Sequence, residues 1–167
     1  GVSLQGGSNT IGIDYNHITG NTTGIYVTER STGAATFNTI TANTTGVELA
    51  QGTFFNTYAG GERLLEDSCS GSATLCEERG FLWLDLSHSI ISGNANGLVA
   101  IGKSVLFSDF NLLFNTTDYT NVVTGRNDIT GQDPLLVAPH GYLQASSPAV
   151  DKGDPTYPIS AGGGLRP

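Results

Sequence analysis

The sequence predicts an all-β solenoid made of coils of about 22 residues. Three observations lead there. The stretch "NHITGNTTGIYV" at 16–27 returns as "NTITANTTGVEL" at 38–49. Inside each copy apolar residues alternate with polar ones, the period of a strand with one buried face. The chain of 167 residues carries 23 Gly and only 13% charged residues, and it is rich in Thr, Asn and Ser, which disfavour helix interiors. Its 38% apolar content supplies a core, and its length suits one domain, 1–167.

The glycine before each apolar pair marks the register. Gly1, Gly24, Gly46 and Gly97 align, at steps of 23, 22 and 51 residues. A second motif lies upstream of three marks: "NHITGN" at 16–21, "NTITAN" at 38–43 and "HSIISGN" at 88–94, with a degenerate copy, "NLLFN", at 111–115. Four columns result. Ile18, Ile40, Ile91 and Leu112 form one; Val2, Ile25, Val47 and Leu98 a second; Leu4, Val27, Leu49 and Ala100 a third. The fourth is polar: Asn21, Asn43, Asn94 and Asn115. Gly, Asn and Thr bound each short strand as turn residues.

A coil of this length with several short strands and no helix reads as one rung of a parallel solenoid, so that equal columns stack at roughly 4.8 Å. Asn tolerates the left-handed conformation of a sharp turn. Its amide can also donate to one rung and accept from another, as ladders do in stacked strands. One rung cannot bury its own apolar face, so neighbours supply the stability. "NTT" at 21, 43 and 115 matches the N-glycosylation pattern, but an inward ladder amide is not available for it. Leucine-rich repeats have a similar period but place Asn after the strand; here Asn precedes it, and "TERSTGAAT" is no helix former.

The third step is about 29 residues too long for one coil. The surplus falls at about 55–83, an insertion that holds Cys69, Cys76, Tyr58, Phe81 and the single tryptophan, Trp83. Too few ligands flank the cysteines for a metal site, so they read as a disulfide closing a small loop, with two reduced thiols as the alternative. Tyr58, Phe81 and Trp83 offer flat rings to a sugar on one reading. On the other, Phe81 and Trp83 re-enter the coil and pack in the core, which the alternation of "FLWLDLSHSII" favours.

Net charge is −8, and the seven Lys and Arg are scattered, which excludes a nucleic-acid-binding face. No run of eighteen apolar residues predicts a membrane span. The absence of Met suggests a processed piece of a longer protein. After the strands, Arg30 and Lys103 share a column and stand about 10 Å apart by strand spacing. With Tyr26, Glu29 and Glu48 they form the one candidate groove patch, in which Glu29 and Glu48 meet the spacing of a hydrolase pair. Mixed surface charge is equally an ordinary solution to solubility. His17, His88 and His140 read as surface or turn residues. Asp133, Asp151 and Asp154 could hold Ca²⁺ but are default turn formers beside Pro and Gly; no other cofactor is expected.

The repeat resembles that of right-handed parallel β-helix proteins, whose coils read like N-x-I-x-x-N-x-x-G-I-x-V. The tail "GQDPLLVAPHGYLQASSPAVDKGDP" at 131–155 resembles the end segment of extracellular bacterial members, implying a C-terminal capping segment at about 119–167. The likeness spans nearly all the chain except 52–84. It implies a right-handed parallel β-helix of four to five coils with one long insertion, in an extracellular or cell-surface protein. Such coils occur in lyases, epimerases, hydrolases, adhesins and anchors. The expected role is therefore a non-catalytic structural, adhesive or glycan-contacting segment, with an extracellular polysaccharide or cell-surface glycan as partner. The alternatives are a polysaccharide lyase, epimerase or glycoside hydrolase, and a self-assembling surface protein that pairs through exposed strand edges.

Overall fold

A computed structural model describes residues 1–5, 11–28, 31–50, 57–58, 61–62, 82–102, 104–137, 141–154 and 156. Three parallel sheets of five strands each form the body. The chain visits them in turn, one strand per sheet per rung, and five rungs stack. The first sheet holds Val2–Leu4, Thr23–Val27, Thr45–Leu49, Asn96–Ala100 and Thr117–Thr120. The second holds Ile11–Asp14, Thr32–Thr36, Trp83–Ser87, Val105–Asp109 and Val123–Thr124. The third holds His17–Thr19, Thr39–Thr41, Ile90–Ser92, Leu112–Phe114 and Ile129–Thr130. This arrangement is an all-β parallel solenoid compatible with a parallel β-helix.

The register follows from which side chains must be inside. Val2, Ile25, Val47 and Leu98 pair rung on rung, as do Leu4, Val27, Leu49 and Ala100. The second sheet contributes Ile13, Ala35 and Leu86, and the third Ile18, Ile40, Ile91 and Leu113. These aliphatic columns are buried and pack as one core. Each fully buried Val, Leu or Ile contributes about 1.5–3 kcal/mol, and a one-residue slip would turn a whole strand inside out. Tyr119 and Val122 close the core at the fifth rung, and the Tyr119 hydroxyl donates to Asp128 at 2.9 Å.

Two sequence expectations need correction. The residue stacked on Ile91 is Leu113, not Leu112. Gly20, Ala42 and Gly93 take up positive φ (72°, 53° and 65°) just before the asparagine of their rungs. The fourth rung lacks this residue and passes from Phe114 straight to Asn115, so alignment on the asparagine is one residue out of phase upstream. Leu112 instead lies on the outer face of the third sheet, in register with Thr39 and Ile90. The second correction concerns Trp83. Leu82, Leu84 and Leu86 occupy the core, which puts Trp83 on the outer face in half-buried surroundings. The third rung's own strand thus starts inside the segment assigned to the insertion. Four residues separate Val27 from Thr32, whereas more than thirty separate Leu49 from Trp83. Between them the backbone forms a short antiparallel pair, Thr57–Tyr58 with Gly61–Glu62.

The asparagines are joined by hydrogen bonds across the rungs. Asn21 donates its backbone N–H and its amide to Asn43 Oδ1 (2.9 and 3.1 Å), and Asn43 does the same to Asn94 (2.9 and 3.2 Å). Asn94 continues to Asn115 (3.1 and 2.8 Å), and Asn115 ends on Asp118 Oδ1 (2.9 and 3.0 Å). A second ladder, unforeseen in the sequence, runs at the corner between the second and third sheets. Asn16 donates to Asn38, Asn38 to Ser89 Oγ, Ser89 to Asn111 and Asn111 to Asp128. Both ladders therefore finish on an aspartate. Beside the second, Tyr15, Phe37, His88 and Phe110 hold positive φ between 52° and 60°, and their rings stack at 4.9–5.4 Å. Ring stacking offsets part of the cost of a left-handed bulky residue.

The glycine register marks have a steric cause. A Cβ on Gly46 would lie 2.7 Å from the Gly97 carbonyl oxygen and 2.8 Å from Ile91 Cγ2, and Gly24 is confined in the same way. At Gly20 nothing lies within 4 Å and only φ is restrictive. Gly46→Ala is expected to lower the unfolding free energy in urea by about 2–3 kcal/mol through overpacking, since a backbone oxygen cannot move aside. Gly20→Ala should cost about 1 kcal/mol, because Ala42 already occupies that conformation one rung on. Asn43→Ala removes the acceptor of two part-buried Asn21 donors and the donor to the buried Ile18 carbonyl, and should cost roughly 1–3 kcal/mol in the same assay. Equal costs for the two glycine substitutions would contradict the packing argument.

Candidate functional site

The outer face of the second sheet forms a groove of about 410 Å³, lined among others by Ala34, Thr36, Asp85, Ser87, Phe107 and Asp109. Strand alternation puts it there. With Leu84, Leu86 and Leu106 inward, the residues between them must face out. Register then assembles two outer columns. Ala34, Asp85, Phe107 and Val123 form one; Asp14, Thr36, Ser87 and Asp109 form the other. Trp83 stands two residues before Asp85, and its ring meets Phe107 edge-on with centroids 6.4 Å apart. Its indole Nε1 is buried and finds no hydrogen-bond acceptor among the described residues.

The two groove aspartates differ. Asp109 is fully engaged: it accepts the N–H groups of Phe110 (3.1 Å) and Asn127 (3.0 Å) and the Asn127 side-chain amide (3.3 Å). It holds the turn that leads to the last third-sheet strand, much as Asp14 accepts the N–H and hydroxyl of Thr36. Asp85 accepts no hydrogen bond from any described residue. Burial between the rungs raises its pKa, because water is partly excluded from the carboxylate.

The expected site residues are distributed as follows. Tyr26 and Glu48 are register neighbours on the outer face of the first sheet, between Ser3 and Val99. Glu29, Arg30 and Lys103 lie outside the described residues, as do Cys69, Cys76, Phe81 and His140. Tyr58 is described only as part of its two-residue strand. His17 is exposed, and His88 sits within the aromatic stack.

The tail turns back over the third sheet. Leu136–Val137 pairs antiparallel with Tyr142–Leu143. A Cβ on Gly141 would come within 3.2 Å of His17 and Thr39. The Asp154 N–H donates to His88 Nε2 at 3.1 Å, which ties the tail to the third rung. Hydrogen bonds from the Thr156 hydroxyl and N–H lower the Asp154 pKa. Asp133 accepts the Leu135 N–H as a turn former. No three His, Cys, Asp or Glu converge as metal ligands among the described residues. Nor is any described helix long and apolar enough to cross a membrane.

The sequence reading missed Asp85, Ser87, Phe107 and Asp109. The signal was the Leu82, Leu84, Leu86 alternation, whose phase assigns every second residue to the outside.

No protein-family model, curated protein or solved structure matches the chain.

A raised carboxylate pKa means that the folded chain binds the proton more readily than the unfolded one. Asp85 therefore costs stability as pH rises from its ordinary range near 3.8 through the folded value. Asp85→Asn should raise the urea midpoint at pH 7, and the gain should shrink toward pH 4. A midpoint that drops at pH 7 would mean that Asp85 is held by a favourable partner.

Proposed function

We propose that this chain is part of an extracellular or cell-surface right-handed parallel β-helix whose second sheet contacts a glycan without turning it over. In an oxidising setting of that kind Cys69 and Cys76 would pair. The observation that carries the reading is the groove, where Phe107 presents ring surface beside Asp85 and Ser87, with Trp83 packed edge-on against Phe107 next to the lining. Aromatic rings pack on the C–H faces of sugars while neighbouring polar atoms take up the hydroxyls.

Non-catalytic contact is favoured over hydrolysis by the state of the two carboxylates. Glycoside hydrolysis needs one as acid and a second free to act as base or nucleophile. Here Asp109 is committed to three N–H donors. Uronate-processing chemistry needs positive charge, or a metal ion, to neutralise the substrate, and the described residues lining the groove include no Lys, Arg or His.

The test is a panel of immobilised extracellular polysaccharides, scored for retention of the protein and for release of reducing ends or unsaturated products. Retention without product is expected, with a clear loss in the double variant Trp83→Ala, Phe107→Ala. Time-dependent product release that survives purification, or no retention by any polysaccharide, would overturn the reading.

A further inference from the structure

We propose that the groove on the second sheet takes an uncharged sugar chain, whose hydroxyls donate hydrogen bonds to the Asp85 carboxylate while its ring faces lie against Phe107 and Trp83. This inference rests on the glycan-contacting reading and names its ligand class.

The Asp85 carboxylate is unmatched among the described residues. A half-buried Asp with no donor among the described residues is unfavourable for folding, because it surrenders water and receives nothing from them in return. Its neighbours in register, Ala34 and Phe107, offer no hydrogen. Asp109, the other acid in the groove, already accepts three hydrogen bonds. One acceptor without a donor among the described residues is thus left on a floor of ring, methyl and hydroxyl groups and the engaged Asp109.

That floor selects by charge. A uronate or sulfated chain would bring its own anions against Asp85 and Asp109 with no cation among the described lining residues. A polycation would bind, but it would bind anywhere on a chain of net charge −8 and has no need of rings. A hydroxyl group needs no counter-charge. It also hydrogen-bonds to Asp85 in either protonation state, which matters for a carboxyl group whose site favours the protonated form. Strand spacing suits an extended ligand as well. The outer columns repeat at about 4.8 Å across the rungs, so a chain lying across them meets similar surface at each step.

The test titrates the whole protein with three hexasaccharide classes: uncharged (cellohexaose, xylohexaose, mannohexaose), anionic (hexagalacturonate) and cationic (fully deacetylated chitohexaose). Binding is read by calorimetry and by tryptophan fluorescence, at about 50 and 500 mM salt. At least one uncharged hexasaccharide should bind at both salt concentrations and shift the Trp83 emission. Asp85→Leu should weaken it at least tenfold, about the worth of a hydrogen bond to a charged group. Asp85→Asn, which keeps an acceptor oxygen, should weaken it less, and it should remain folded with a raised unfolding midpoint.

Tight binding of hexagalacturonate alone would overturn the ligand class while leaving glycan contact intact. Binding of the cationic chain alone, abolished at high salt, would do the same. No binding in any class would overturn both. Sedimentation of the same samples adds a last outcome: a dimer dispersed by Asp85→Leu would put a second copy of the chain in the groove and overturn the proposal.

Discussion

The distance between rungs governs everything else in this molecule. Parallel pairing sets it near 4.8 Å, and the side chains that face one another at that separation must be compatible with their own copies. Aliphatic residues meet the requirement inside. At two of the corners asparagine meets it, because one amide carries both an acceptor and donors. Glycine meets it where no side chain fits: at Gly46, carbonyl, methyl and ladder amide crowd the space a Cβ would need. The recurrent spacing of these residue types along the chain is therefore the imprint of one length.

Because every rung obeys that length, surface position follows from core position. Fixing Leu84 and Leu86 inside puts Asp85 and Ser87 outside, and pairing with Val105–Asp109 brings Phe107 and Asp109 beside them. The groove is a by-product of register, assembled from residues far apart in sequence, such as Asp85 and its partner Phe107. The energetic weights differ. Core residues and ladder amides gain from folding, whereas Asp85 loses hydration and is paired with nothing among the described residues. Sites that spend stability in this way are usually kept for something other than stability.

Much of the architecture was legible in the sequence, since a repeat declares its own period. The columns through Ile25, Val27 and Ile40 needed only alignment. Leu113 was misread because a turn residue is missing between Phe114 and Asn115, and an alignment anchored downstream of a deletion carries the error upstream. The ladder of Asn16, Asn38 and Asn111 went unrecognised because Ser89 interrupts it; a hydroxyl serves the same bond but breaks the letter pattern. The groove was the least legible part. Trp83 and Phe107 look like core residues by hydrophobicity, and only the phase of Leu82, Leu84 and Leu86 shows that they face outward.

The two aspartates that finish the ladders have an electrostatic consequence. In each asparagine of the first ladder the carbonyl dipole points toward the first rung and the hydrogens toward the last, so the row of amides carries aligned partial charges, as a helix backbone does. Its electropositive end meets Asp118, and the companion row meets Asp128. A carboxylate has no hydrogen to pass on, so it neutralises the row and halts it at once. The stack thus has a polarity, with a chemically distinct terminus that a further asparagine would not provide.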